Sequence, residues 1–114
     1  MTVKDLIQQT NWKMLTDGAD ETISSAYICD LLSCVMAHAE SGTAWITVQA
    51  HLNVVAVAAL TGCACVIVPE NITVSEETLA AARDKDVTII SAPCSSYGVA
   101  LALDKLGIGE VTQL

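Results

Sequence analysis

The sequence predicts an α/β fold, a mostly parallel sheet with helices on both faces, and three observations carry that expectation. From Ala26 onward, short apolar runs of strand length alternate with longer helical patterns four times over. Cys63-Ala-Cys-Val-Ile-Val68 is an uninterrupted apolar run closed by Pro69, as a strand covered on both faces requires. Glycine stops follow the helical patterns at Gly42, Gly62 and Gly107. Alternation of this kind links neighbouring parallel strands through right-handed crossovers.

Taken in order, Val3, Leu6 and Ile7 repeat at helical spacing behind Thr2, a good N-cap, with Asp5 in the first turn, so Val3 to Gln9 is expected to be helical. Asp17-Gly18 marks a turn. Ala26 to Cys29 reads as a strand, and Asp30 is placed to cap a helix from Leu31 to about Ala39, whose apolar face is Leu31, Leu32, Val35, Met36 and Ala39. Trp45 to Ala50 has strand composition. Leu52 to Leu60 is apolar at every position but Asn53, which predicts a helix buried on nearly all sides. After the Cys63–Val68 strand, Ser75 with Glu76 and Glu77 opens a helix whose acidic first turn suits its dipole. Val87 to Ser91 is the last strand. Cys94-Ser95-Ser96 then caps a helix with Val99, Leu103 and Leu106 inward.

Size and charge bound the function. The 114 residues, 53% of them hydrophobic, suffice for one core and leave no room for a second, so one domain spanning 1–114 is expected. A formal charge of −8 repels phosphate backbones and anionic lipid, which argues against nucleic acid and membrane partners. Arg83 is the only arginine and the lysines are scattered, so a polyphosphate would have to be held mainly by backbone N–H groups. The five cysteines (Cys29, Cys34, Cys63, Cys65, Cys94) are odd in number and have apolar neighbours, which reads as buried reduced thiols. With no signal-like N-terminus, a cytoplasmic location is expected. No Lys, Arg, Asp or Glu lies between Glu40 and Glu70, but Gln49, His51 and Asn53 interrupt the run, so it predicts a fully covered core instead of a membrane span.

In a parallel sheet, ligands favour the crevice along the C-terminal strand ends. That edge is expected to gather Asp30 and Ser33 from the first strand, Thr47, Gln49, His51 and Asn53 from the second, Glu70 and Asn71 from the third, and Cys94, Ser95 and Ser96 from the last. For Asp30, Ser95 and Ser96, helix capping explains the residue type as well as a ligand does. His51 and Asn53 stand in the most apolar part of the chain, where a polar side chain needs a hydrogen-bond partner, internal or ligand.

Other chemistries have less to stand on. Cys94 and His51 with Asp30 or Glu70 could form a nucleophilic triad, the basis of a hydrolase or transferase alternative, although no nucleophile motif surrounds Cys94. No metal site is expected: His38 and His51 fall on different elements, and there is no Cys-x-x-Cys pair. Neither a Gly-x-Gly-x-x-Gly turn nor a Gly-x-x-x-x-Gly-Lys-Ser/Thr loop occurs, so no nucleotide motif or cofactor is indicated.

Asp30-Leu-Leu-Ser33-Cys-Val-Met36, Ala44-Trp-Ile-Thr-Val-Gln49-Ala-His51-Leu-Asn53-Val-Val-Ala-Val-Ala58 and Val66-Ile-Val-Pro-Glu70 together resemble the DRTGG-domain family in its small stand-alone form, over nearly the whole chain. The resemblance implies a fold similar to the N-terminal domain of HPr kinase/phosphorylase, in a family without an established activity. Its members are fused to nucleotide-sensing CBS domains in regulatory pyrophosphatases and to phosphate acetyltransferases, which implies regulation or dimerisation. Stand-alone members occur with anaerobic redox and hydrogenase gene sets, which implies an accessory role. Ala50-His51-Leu52-Asn53 stands where the family carries Asp-Arg, and Pro69-Glu70-Asn71 where it carries Thr-Gly-Gly, so contacts made by that arginine or those glycines do not transfer. The resulting expectation is a non-catalytic regulatory or ligand-binding domain, acting as a homodimer and sensing a small metabolite or nucleotide. A protein-interaction module without a ligand is the alternative.

Overall fold

The computed structural model describes residues 1–112, leaving Gln113 and Leu114 outside the described part of the chain. Helix α1 (Val3–Gln9) starts with a reciprocal cap: Asp5 N–H donates to Thr2 Oγ1 at 3.1 Å and Thr2 N–H to Asp5 Oδ2 at 2.9 Å. Five strands follow, β1 (Lys13–Thr16), β2 (Ser25–Ile28), β3 (Thr43–Ile46), β4 (Cys65–Val68) and β5 (Ile89–Ser91). Between and after them lie helices α2 (Leu32–His38), α3 (Leu52–Thr61), α4 (Glu76–Asp84) and α5 (Ser96–Lys105). The sheet order is β1-β5-β4-β3-β2, with β2 to β5 parallel and β1 antiparallel to β5.

The fold class expected from the sequence is therefore the one observed, and strand periodicity explains its two cores. Successive side chains alternate between faces. Ala44, Ile46, Cys65, Ile67 and Ile90 pack with Val3 and Leu6 of α1 and Val99 and Leu103 of α5. Trp45, Val66, Val68 and Ile89 pack with Val35 of α2, Val54, Val55 and Val57 of α3 and Ala82 of α4. The strands advance in one direction from β2 to β5 with α2, α3 and α4 on one face. The chain then reverses, and a right-handed return requires α5 to cross the other face. It ends beside β2, where Ala26 N–H donates to the Gly109 carbonyl at 2.8 Å and Val111 N–H to the Ala26 carbonyl at 3.0 Å.

Several expectations need correction. Strand β1 has no counterpart in the sequence pattern. Its four residues carry no clean alternation, and it is held by a tertiary contact: Thr16, 3% exposed, donates from Oγ1 to the Val87 carbonyl and accepts from Ile89 N–H, both at 2.8 Å. Strand β3 begins at Thr43 and ends at Ile46, so Thr47 to His51 is loop and not strand. Helix α3 is not buried on nearly all sides. Leu52 is 42% and Leu60 75% exposed, with Ala56 and Ala59 between them also exposed, because α3 covers the sheet with one face only. The charge-free middle is thus a half-covered segment and not wholly core. Of the five free thiols only Cys65 is fully buried, and burial pushes its thiol far above the ordinary 9.0.

Candidate functional site

The strand-end edge exists, but its polar residues fall into three separate groups. At the ends of β2 and β3, the Asp30 carboxylate accepts Thr47 Oγ1–H at 2.8 Å and Val48 N–H at 3.0 Å. Asp30 is therefore not the α2 cap: Leu31 holds that position without a side-chain bond, and Asp30 instead ties the two loops together. Gln49 N–H donates to Thr47 Oγ1 at 3.2 Å, while Gln49 Oε1 is buried with no partner among the described residues. Ser33 is exposed in the first turn of α2.

The second group closes the gap between β4 and β5. The chain leaves β4 toward one face and β5 toward the other, which in open parallel sheets is where a crevice forms. Here the two loops are zipped together instead, with Glu70 N–H donating to the Cys94 carbonyl at 2.8 Å and Asn71 N–H to the Ala92 carbonyl at 3.1 Å. Glu70 and Asn71 adopt left-handed backbone (φ 61° and 53°) to make this turn. Ser95 caps α5 by accepting Gly98 N–H at 3.2 Å, and Ser96 is half-buried behind it. The Cys94 side chain borders the α1/α5 core, pressed against Gly98, where an added Cβ would come within 2.9 Å of Cys94 Cβ. No side-chain hydrogen bond joins Cys94 to His51, Asp30 or Glu70 among the described residues.

The third group forms a hollow of about 470 Å³ where the first turns of α3 and α4 meet, lined by Ala50, His51, Leu52, Asn53, Ser75, Glu77 and Thr78. His51 and Asn53 are exposed in it, so neither is the buried polar residue that its apolar surroundings in sequence suggested. His51 occupies the α3 cap position, with extended backbone and no side-chain bond to the turn. Ser75 caps α4 by accepting Thr78 N–H at 3.2 Å, and buried Thr78 reaches the Ala50 carbonyl through Oγ1 at 3.4 Å, fixing the distance between the two helix starts. Of the residues expected at the edge, the hollow takes His51 and Asn53. It adds Ser75, Glu77 and Thr78, whose position in the loop and first turn after β4 was the available signal.

A second hollow of about 350 Å³ lies under α5 beside β2, lined mostly by apolar side chains including Ala26, Ile28, Ile46 and Ile108, with Asp104 and Glu110 also present. Among the described residues, no three His, Cys, Asp or Glu side chains converge as a metal site would need, and no helix is long and apolar enough to cross a membrane.

The fold defines a class, a right-handed parallel α/β sheet with one antiparallel edge strand, and a solved structure shares it. The chain is similar to a crystal structure of the CBS and DRTGG domains of the regulatory region of Clostridium perfringens pyrophosphatase, complexed with its activator diadenosine tetraphosphate. The TM-score is 0.69 at 12% identity, over 90% of this chain and 45% of that one, so this chain spans under half of its neighbour. At that identity the likeness concerns the fold. No family model matches the chain, and no curated protein matches it.

Proposed function

We propose that this chain is a non-catalytic, DRTGG-like regulatory domain, a single domain over 1–114, that binds a small metabolite or nucleotide at the strand-end edge and works as a homodimer. The observation that carries the reading is the hollow between the α3 and α4 starts, where the first N–H groups of α3 have no side-chain cap. Uncapped N–H groups at a helix start attract carboxylate or phosphate oxygens. His51, Asn53 and Ser75 add hydrogen-bonding side chains, and Glu70 and the Asp30–Thr47–Gln49 loop lie along the same edge. None of the five basic residues lines the hollow and Glu77 does, so a singly charged anion, or a nucleotide whose charge is offset by a bound cation, suits it better than a bare polyphosphate. The neighbour's nucleotide activator is consistent with this class of ligand.

The homodimer part of the reading rests on a different surface. Leu31, Met36 and Leu60 are exposed on α2, α3 and the loop leading into α2, where neither helix carries Asp, Glu, Lys or Arg. An uncharged apolar surface is where chains of charge −8 can meet with least repulsion.

Thermal-shift screening with magnesium-loaded adenine nucleotides, acyl phosphates and small carboxylates tests the ligand. A ligand at a hundredfold its Kd adds about 2.7 kcal/mol to the folded state, and the shift should vanish in H51A/N53A. If every compound leaves the melting temperature unmoved, the ligand reading fails and a pure interaction module replaces it. Sedimentation should find a dimer that L60E converts to monomer; a concentration-independent monomer in the unaltered chain would remove the homodimer.

A further inference from the structure

Away from the strand-end hollow, Tyr27, Cys29, Cys34 and His38 form a group that the proposed function does not use. Tyr27 on β2 and Cys29 just past its end are two apart and pack on the same face, the one covered by α2; Cys29 N–H still donates to the Ile46 carbonyl at 3.3 Å, so the chain stays extended between them. Cys34 and His38 are four apart on α2 and also share a face. One hydrogen bond fixes the two rows against each other: the Tyr27 hydroxyl and His38 Nδ1 lie 3.2 Å apart, with ring centroids at 5.8 Å.

From that anchor the positions of the two sulfurs follow. In a right-handed crossover α2 runs back along β2, so moving up the strand from Tyr27 means moving toward the start of the helix from His38. Two strand residues rise about 6.6 Å, and four helical residues rise about 6 Å. Cys29 is therefore brought opposite Cys34. An independent contact agrees: Cys29 Sγ lies 3.6 Å from the Leu31 carbonyl oxygen, and Cys34 N–H donates to that same oxygen at 3.0 Å. The Tyr27 hydroxyl is held above the ordinary phenol value chiefly by burial, with the Cys29 and Cys34 sulfurs pushing in the same direction, so both act on it.

We infer that Cys29 and Cys34 are a redox-active thiol pair that closes to an intramolecular disulfide by exchange with a low-molecular-weight disulfide. One cysteine thiolate attacks a sulfur of the external disulfide, forming a mixed disulfide and releasing one thiolate. The other cysteine, as thiolate, attacks the protein sulfur of that mixed bond and releases the second. Two electrons pass from the pair to the external disulfide, and the two thiol protons end on the two released small thiols. Both cysteines are half-buried and so reachable, whereas Cys65 is sealed in the core. The bond would close a ring around Asp30 and Leu31, at the root of the loop through which Asp30 holds Thr47 and Val48.

The test treats the intact chain with 0.1 mM oxidised glutathione, an amount about tenfold or more below the effective concentration of a thiol a few residues away. Free thiols are then alkylated and the protein cut after glutamate. Cleavage at Glu21 and Glu40 yields residues 22–40, which contain Cys29 and Cys34 and no other cysteine. The expected product is that peptide two hydrogens lighter and unalkylated, in about tenfold excess over the form carrying two glutathiones. In C29S or C34S the remaining cysteine should keep its glutathione. A doubly glutathionylated peptide, a cross-link between copies, or two cysteines that stay free while Cys94 reacts would each overturn the inference.

Discussion

Replacing Thr16 with valine removes one hydroxyl and keeps the side-chain shape, and it should unpair two backbone groups at once. Thr16 Oγ1 stands in for part of the β1–β5 ladder at a register shift between Met14 and Thr16. It accepts Ile89 N–H and donates to the Val87 carbonyl, both at 2.8 Å, in a site 3% exposed. Valine would leave both backbone groups buried and unpaired, at about 1–3 kcal/mol each. Allowing for partial relaxation at an edge strand, the expected loss is about 2–4 kcal/mol, or about 8–16 °C in melting temperature for a chain this size. Urea denaturation of T16V and T16S against the unaltered chain measures it. T16S keeps the hydroxyl and should lose only about 1 kcal/mol, from the deleted methyl. Should T16V fall within about 0.5 kcal/mol of the unaltered chain, β1 is not held by this side chain.

Three further outcomes are expected. Burial raises the Cys65 and Cys63 thiols above their ordinary 9.0, so above pH 9 the unfolded chain loses protons that the folded chain keeps. Stability must then fall as pH rises, by up to about 1.4 kcal/mol per pH unit for each such thiol; C65A should flatten that alkaline slope in pH-resolved urea melts, and an unchanged slope would count against the buried thiol. The Asp5 carboxyl is lowered by the Thr2 backbone and side-chain hydrogen bonds, so its contribution is present above pH 3.8 and lost as pH falls through the lower folded value; D5N should show a shallower acid limb in the same melts. Gly62 ends α3 at φ 74°, a left-handed conformation that alanine adopts at about 1 kcal/mol, so G62A should lower the unfolding free energy read from urea melts by about 1 kcal/mol.

The elements legible in the sequence were those whose signal is local. Thr2 and Asp5, Ser75, Ser95 and Gly62 mark helix ends because caps and left-handed stops are satisfied within a few residues of chain. The run closed by Pro69 marked β4 because a strand buried on both faces has no polar side. Strand β1 was not legible, since Thr16 bonds residues more than seventy positions away. Asp30 looked like a cap by spacing alone, and only the neighbouring strand end explains why its carboxylate turns to Thr47 and Val48.

For the site, the sequence named the edge but not the hollow. Composition and alternation determined a parallel α/β sheet with polar residues at its strand ends, because hydrophobic period and crossover handedness follow from the chain itself. Tertiary structure decided which of those residues meet: the β4 and β5 loops zip shut, and the opening moves to the α3 and α4 starts. It also decided that α3 is half-exposed, since an apolar helix reads the same whether its second face meets the protein's own core or remains bare.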